Sequence, residues 1–170
     1  MFTLIIGGSA SGKSDFAQRH VLSLDGPRIY VATMEPFGSE AAARIARHLA
    51  LRNHLNFRTI ECCVNLFTAP VPPLGNVLLE DLGNLTANEM FRPDGGGPEA
   101  VLEGVASLRR RSSHLTIVTN EVFSDGRDYA GETLVYLRAL AQLNRVLARE
   151  ADQVVEVVCG LPNVLKEAGA

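Results

Sequence analysis

The sequence predicts a single α/β domain, residues 1–170, built on a mainly parallel central sheet flanked by helices. Three observations carry that expectation. Short apolar runs at residues 4–6, 28–32, 77–79, 116–119 and 154–159 are nearly continuous rather than alternating, as strands buried on both faces are. Helix-forming segments at 14–23, 41–52, 99–110 and 133–151 separate them, which argues for βαβ crossovers around one sheet. A glycine-rich turn joins the first apolar run to the first helical segment.

That turn reads Gly7-Gly8-Ser9-Ala10-Ser11-Gly12-Lys13-Ser14 and fits the phosphate-binding pattern G-x-x-x-x-G-K-[ST] without a mismatch. Its glycines let backbone N–H groups face phosphate oxygens, and the helix N-terminus behind them adds partial positive charge. Lys13 is then placed to reach the β- and γ-phosphates and Ser14 to ligate Mg²⁺. The expected class is therefore P-loop NTPase-type, with residues 7–14 binding a nucleotide. In an open parallel sheet ligands gather at the carboxyl ends of the strands, so each end is worth reading in turn.

The second run ends in Thr33-Met34-Glu35. The helix expected at 41–52 places Arg44, His48 and Arg52 on one face, at i, i+4 and i+8, beside an apolar stripe of Ala42, Ile45 and Leu49. Two guanidinium groups disfavour a protonated imidazole between them, and a neutral imidazole among phosphate-binding cations suits a nucleophile. Spacing alone leaves open a solvated basic face on which the histidine is incidental. A further short strand is expected at 56–61, then a proline-rich loop at 70–75. The third run ends in Glu80-Asp81, either of which fits a magnesium-side carboxylate, or else an acidic cap on the strand end. A glycine- and proline-rich tip at 93–98 follows. The fourth run ends in Asn120-Glu121, where Glu121 suits a second polar group or base, or a structural turn, and the fifth ends at Gly160.

The chain has 170 residues, 46% of them hydrophobic, enough for one domain with a substantial core. A formal charge of −3 leaves no electrostatic footprint for nucleic acid or a membrane surface, and Arg109-Arg110-Arg111 reads as a solvated helix end. Cys62, Cys63 and Cys159 lack metal-ligand spacing and read as buried thiols. With no basic n-region before the first strand and no apolar run of membrane-spanning length, a cytoplasmic protein is expected.

Along most of the chain the residues resemble the bifunctional adenosylcobinamide kinase and adenosylcobinamide-phosphate guanylyltransferases of cobalamin assembly. The matching stretches are Ile6 through Ser14, Tyr30-Val31-Ala32-Thr33, Ala43-Arg44-Ile45-Ala46-Arg47-His48 with Arg52, Arg58-Thr59-Ile60-Glu61 and Leu78-Leu79-Glu80. They continue through Val118-Thr119-Asn120-Glu121-Val122, Leu143-Asn144-Arg145-Val146-Leu147-Ala148 and Val157-Val158-Cys159-Gly160-Leu161-Pro162. The resemblance implies an enzyme that phosphorylates the aminopropanol hydroxyl of adenosylcobinamide with ATP or GTP and then transfers GMP from GTP to that phosphate. It implies that the guanylyl group passes through His48. Nucleotide contacts would fall on Gly7, Gly8, Ser9, Ala10, Ser11, Gly12, Lys13 and Ser14; on Ala32, Thr33 and Met34; on Leu49, Ala50, Leu51 and Arg52; and on Glu61 and Glu80. Mg²⁺ would be held by Ser14 and Glu80, and a homo-oligomer is implied. The chain departs from the family pattern at Ala10, usually arginine, at Asp81-Leu82-Gly83, usually Cys-Leu-Thr, across residues 123–128, and at Arg138 and Ala141, usually Asp and Gly. Two other readings fit those departures: a small-molecule kinase without guanylyl transfer, and a non-catalytic protein that binds GTP or a corrinoid.

Overall fold

The computed structural model describes residues 1–35 and 55–169. Seven strands form one sheet: β1 (Phe2–Gly7), β2 (Arg28–Ala32), β3 (Phe57–Glu61), β4 (Asn76–Glu80), β5 (His114–Asn120), β6 (Gln153–Val158) and β7 (Leu161–Lys166). Their order across the sheet is β3-β2-β4-β5-β1-β6-β7, and every pairing is parallel except β6 with β7. The described helices are α1 (Lys13–Leu22), α2 (Leu82–Phe91), α3 (Gly97–Arg111) and α4 (Gly131–Glu150). The helix expected at 41–52 lies outside the described residues.

Side chains alternate across the sheet, and both faces are covered. On one face Leu4, Val77, Leu79, Leu115 and Ile117 pack with Leu82 and Leu85 of α2, Val105 and Leu108 of α3, and Leu140, Leu143 and Leu147 of α4. On the other, Ile5, Leu78, Val118 and Val155 meet Ala17 and Val21 of α1. This double burial is why the central strands read as unbroken apolar runs. Burying a leucine such as Leu79 contributes about 2 kcal/mol, so the sheet's centre is a rigid base for its loops.

Three features differ from the sequence expectation. Helix α2 is not among the helices the sequence leads one to expect, since Gly83, Asn84, Thr86 and Asn88 are poor helix formers. It forms because Asp81 caps it, with Oδ1 accepting from Asn84 N at 2.6 Å, and because Leu82 and Leu85 are buried. Strand β7 contains Pro162, which argues against a strand in a sheet centre. It is accommodated because β7 is the antiparallel edge and, among the described residues, pairs with β6 alone. The thiols are not all buried: Cys62 is, but Cys159 is exposed in the β6–β7 turn.

Beneath the sheet's amino end, His114 is buried, with Nε2 3.0 Å from Thr3 Oγ1 and 3.3 Å from Nε2 of His20. Burial, then the neighbouring His20 and the N-terminal amine, push the His114 pKa down to about 4. A depressed histidine takes up its proton more readily in the unfolded chain. Its contribution is therefore complete above pH 6.5 and falls away as the pH drops towards 4. Urea midpoints should fall as the pH drops through that window. In His114→Gln this part of the pH dependence should flatten; an unchanged slope would contradict the assignment.

Candidate functional site

The phosphate loop leaves the carboxyl end of β1 and closes on itself through Ser11 N donating to Gly8 O at 3.2 Å, before α1 begins with Phe16 N on Gly12 O at 3.0 Å. Gly12 has φ 88°, and a Cβ there would lie 3.1 Å from Gly160 Cα, so both its backbone conformation and its contact with the β6–β7 turn call for glycine. That turn also holds the loop directly, with Gly160 N donating to Ser11 O at 2.8 Å. On the other flank Glu121 N donates to Gly7 O at 3.0 Å.

Lys13 is 9% exposed, and its ammonium donates to Gly8 O at 3.0 Å. Burial lowers its pKa, opposed by the fields of Asp81 and Glu80. The lysine therefore stands between the phosphate loop and the acidic end of β4. Strand β5 lies between β1 and β4, so Asn120 and Glu121 occupy the sheet edge between the phosphate loop and Glu80.

The structure separates the two carboxylates that the sequence left interchangeable. Both oxygens of Asp81 are engaged by Asn84, Oδ1 by its N–H and Oδ2 by Nδ2 at 3.1 Å, so Asp81 fixes the start of α2. Glu80 is half-buried and accepts from the Tyr30 hydroxyl on Oε2 at 3.0 Å; among the described residues no hydrogen bond reaches its Oε1. Thr33 is buried and clamps this corner: its Oγ1 donates to Asp81 O and accepts from Asp81 N, both at 2.8 Å. Asn88 of α2 in turn donates to Thr33 O at 2.8 Å and Cys63 O at 3.0 Å.

Ala32 stands in register with Glu61 on one side and Glu80 on the other, which aligns three expected nucleotide contacts along the carboxyl edge. Met34 follows, half-buried, and Glu61 is exposed. Residues 7–14, 32–34, 61 and 80 thus share one edge of the sheet. His48, Leu49, Ala50, Leu51 and Arg52, with Arg44, lie outside the described residues.

Sequence reasoning missed a cavity of about 500 Å³ beside the phosphate loop, with Ser9 at one end and Glu121, Tyr129, Thr133, Tyr136 and Leu137 around it. A signal was present, since Thr133, Tyr136 and Leu137 fall at i, i+3 and i+4 on one face of α4. Helix α4 also steadies the end of β5, where Asn144 Oδ1 accepts from Thr119 Oγ1 at 2.7 Å. Gly83 now has a packing reason. A Cβ there would lie 2.8 Å from Asn120 Nδ2 and 3.1 Å from the Tyr136 hydroxyl.

The family described as cobinamide kinase / cobinamide phosphate guanyltransferase matches residues 3–165. The chain belongs to this family. Its members are transferases, kinases and guanylyltransferases of cobalamin biosynthesis, and so is this chain. One relative, the bifunctional adenosylcobalamin biosynthesis protein CobP of Pseudomonas aeruginosa, is 30% identical over 173 residues covering 98% of each chain. Among solved structures, a Pyrococcus horikoshii protein superposes with a TM-score of 0.54 at 8% identity, over 98% of this chain and 86% of that one. The flagellar accessory protein FlaH of Methanocaldococcus jannaschii gives 0.50 at 9% identity, over 98% and 78%. A prototypical ATPase of a type III secretion system gives 0.54 at 13% identity, over 96% and 56%. At such identities the likeness is one of fold, and it is the fold of P-loop NTPases. No described helix is long and apolar enough to cross a membrane.

Proposed function

We propose that this enzyme phosphorylates the hydroxyl of adenosylcobinamide with ATP or GTP and then transfers GMP from GTP onto that phosphate, releasing pyrophosphate, through a guanylylated His48. The observation that carries the reading is a complete phosphate loop on β1 inside a family match that spans residues 3–165. In the first step Lys13 offsets charge that builds on the β- and γ-phosphates as the bond between them breaks. In the second, a ring nitrogen of His48 attacks the α-phosphorus and pyrophosphate leaves. The cobinamide phosphate oxygen then displaces the histidine, and the nucleotide diphosphate ester is complete.

Ser14 and Glu80 are proposed as the protein's ligands to Mg²⁺. The donor chemistry fits: a hydroxyl in the first turn of α1 and a carboxylate whose Oε1 has no hydrogen bond among the described residues are hard oxygen donors. No three described His, Cys, Asp or Glu side chains gather into a metal cage, so phosphates and waters would supply the remaining ligands. When bound, the ion adds charge stabilisation at the phosphates. Glu80→Gln should move the Mg²⁺ dependence of turnover to higher concentration and lower the maximal rate. A normal Mg²⁺ titration in Glu80→Gln together with a shifted one in Asp81→Asn would transfer the role to Asp81.

Corrinoid and nucleotide are thus the proposed partners, in the cytoplasm and without nucleic acid. A homo-oligomer is supported by the edge strand β7, on which Leu161 is 71% and Leu165 58% exposed, an apolar edge suited to covering by another copy. The deciding experiment supplies GTP and cobinamide and follows both products. Steady pyrophosphate release supports the full reaction, nucleoside diphosphate alone supports a kinase without guanylyl transfer, and binding without turnover supports a non-catalytic role.

A further inference from the structure

The cavity beside the phosphate loop has a chemistry that sets it apart from a nucleotide site. Among the described residues its lining holds the carboxylates of Glu121 and Asp125 and no lysine or arginine; Arg127, next to Asp125, acts on Asp125 from outside the lining, so the walls themselves favour a neutral group over an anion. The hydroxyls of Tyr129 and Tyr136 already donate, to Asp125 and to Gly83 O, so their oxygens are left as acceptors beside the Thr133 hydroxyl, while Val122 and Leu137 supply apolar surface. A neutral, hydroxyl-bearing group on a partly apolar arm fits such walls.

The cavity is also fixed to the phosphate loop. Ser9 belongs to both, and Glu121 is tied to the loop by its N–H on Gly7 O. The Glu121 carboxylate is oriented by two donors on the same oxygen: Phe123 N at 3.0 Å and Ser124 Oγ at 2.9 Å, both to Oε1. Among the described residues Oε2 has no partner. The result is a carboxylate held through one oxygen, with the other unpartnered among the described residues, in the lining of a cavity that also includes Ser9 of the phosphate loop.

We propose that this cavity holds the alcohol arm of the phosphoryl acceptor and that Glu121 is the general base of the kinase step. The assignment rests on the kinase reading above. The acceptor hydroxyl gives its proton to Glu121 Oε2 as its oxygen bonds to the γ-phosphorus. The bond from that phosphorus to the β–γ bridging oxygen breaks, and nucleoside diphosphate leaves with the electron pair. Glu121 then returns the proton to water, and no further reactant is needed.

The test is Glu121→Gln, assayed for nucleoside diphosphate formation with ATP and cobinamide. Glutamine keeps an acceptor oxygen for Phe123 N and Ser124 Oγ, so a merely structural role would leave the rate unmoved. Loss of a general base should lower kcat by about 100-fold or more, with the affinity for a fluorescent GTP analogue unchanged. Leu137→Arg, which places a cation in the cavity, should raise the KM for cobinamide at least tenfold and leave the KM for ATP alone. Normal turnover in Glu121→Gln, or an unchanged cobinamide KM in Leu137→Arg, overturns this assignment while the kinase reading stands. If the wild-type protein forms no nucleoside diphosphate with cobinamide, the kinase reading fails and takes this assignment with it.

Discussion

Lys13→Ala should lower phosphoryl transfer to cobinamide by on the order of 10³-fold, since a fixed cation that meets charge developing on the leaving phosphates is worth that much in a site shielded from water. The side chain is 9% exposed and its ammonium rests on Gly8 O at 3.0 Å, so it is already held at the loop. Little stability should be lost. The loop keeps its bonds to Gly160 and Glu121, and the hydrophobic clusters on either face of the sheet do not include Lys13. Lys13→Arg should not rescue the rate, because a planar guanidinium cannot take the place of a compact ammonium in so enclosed a position. The measurement is single-turnover product formation alongside a melting curve, and a folded Lys13→Ala protein with wild-type turnover would remove the lysine from the mechanism.

The second large effect is expected at His48. Incubation with GTP labelled at the α-phosphate should attach label to the wild-type protein, and His48→Asn should carry none. The bond would join phosphorus to an imidazole nitrogen, which leaves readily once protonated, so label should be lost in acid and survive in alkali. Phosphorylation of the cobinamide hydroxyl, which uses Lys13 and the phosphate loop, should persist in the same variant. Label that resists acid, or that remains in His48→Asn, would place the nucleophile elsewhere, with His54 and Lys13 the next residues to replace.

The phosphate loop was legible because its chemistry is local: a tight turn, a lysine and a hydroxyl follow one another within residues 7–14 and need no distant partner to be recognised. The central strands were legible for a related reason, since burial on both faces writes itself as an unbroken apolar run. The position of β5 between β1 and β4 was not, because the side on which a crossover returns depends on packing beyond any one segment. For the same reason Glu80 and Asp81 looked equivalent. Only the presence of α2 assigns Asp81 to its cap, and α2 escaped notice because its polar and glycine positions mask two buried leucines. The cavity needed residues from β5, the loop after it and α4 to be brought together in space, and only its α4 face had a sequence period.

Beyond the tie of Glu121 N to Gly7 O and the packing of Val122 on the core, the segment 121–130 is held by local hydrogen bonds. Glu121 is bonded by Phe123 and Ser124, Asp125 accepts from Arg127 N at 3.0 Å, and the Tyr129 hydroxyl donates to Asp125, all across four residues or fewer. Residues 123–128 are exposed. Lengthening or exchanging them should therefore cost little stability, as surface loops commonly tolerate insertion. The nucleotide end of the sheet is instead tied to the core through the β6–β7 turn, the cap of α2 and the Thr33 clamp. On the proposed assignment, exchange of residues 123–128 would alter one wall of the acceptor cavity, the α4 wall of Thr133, Tyr136 and Leu137 remaining, while the bonds that hold the phosphate loop stay in place.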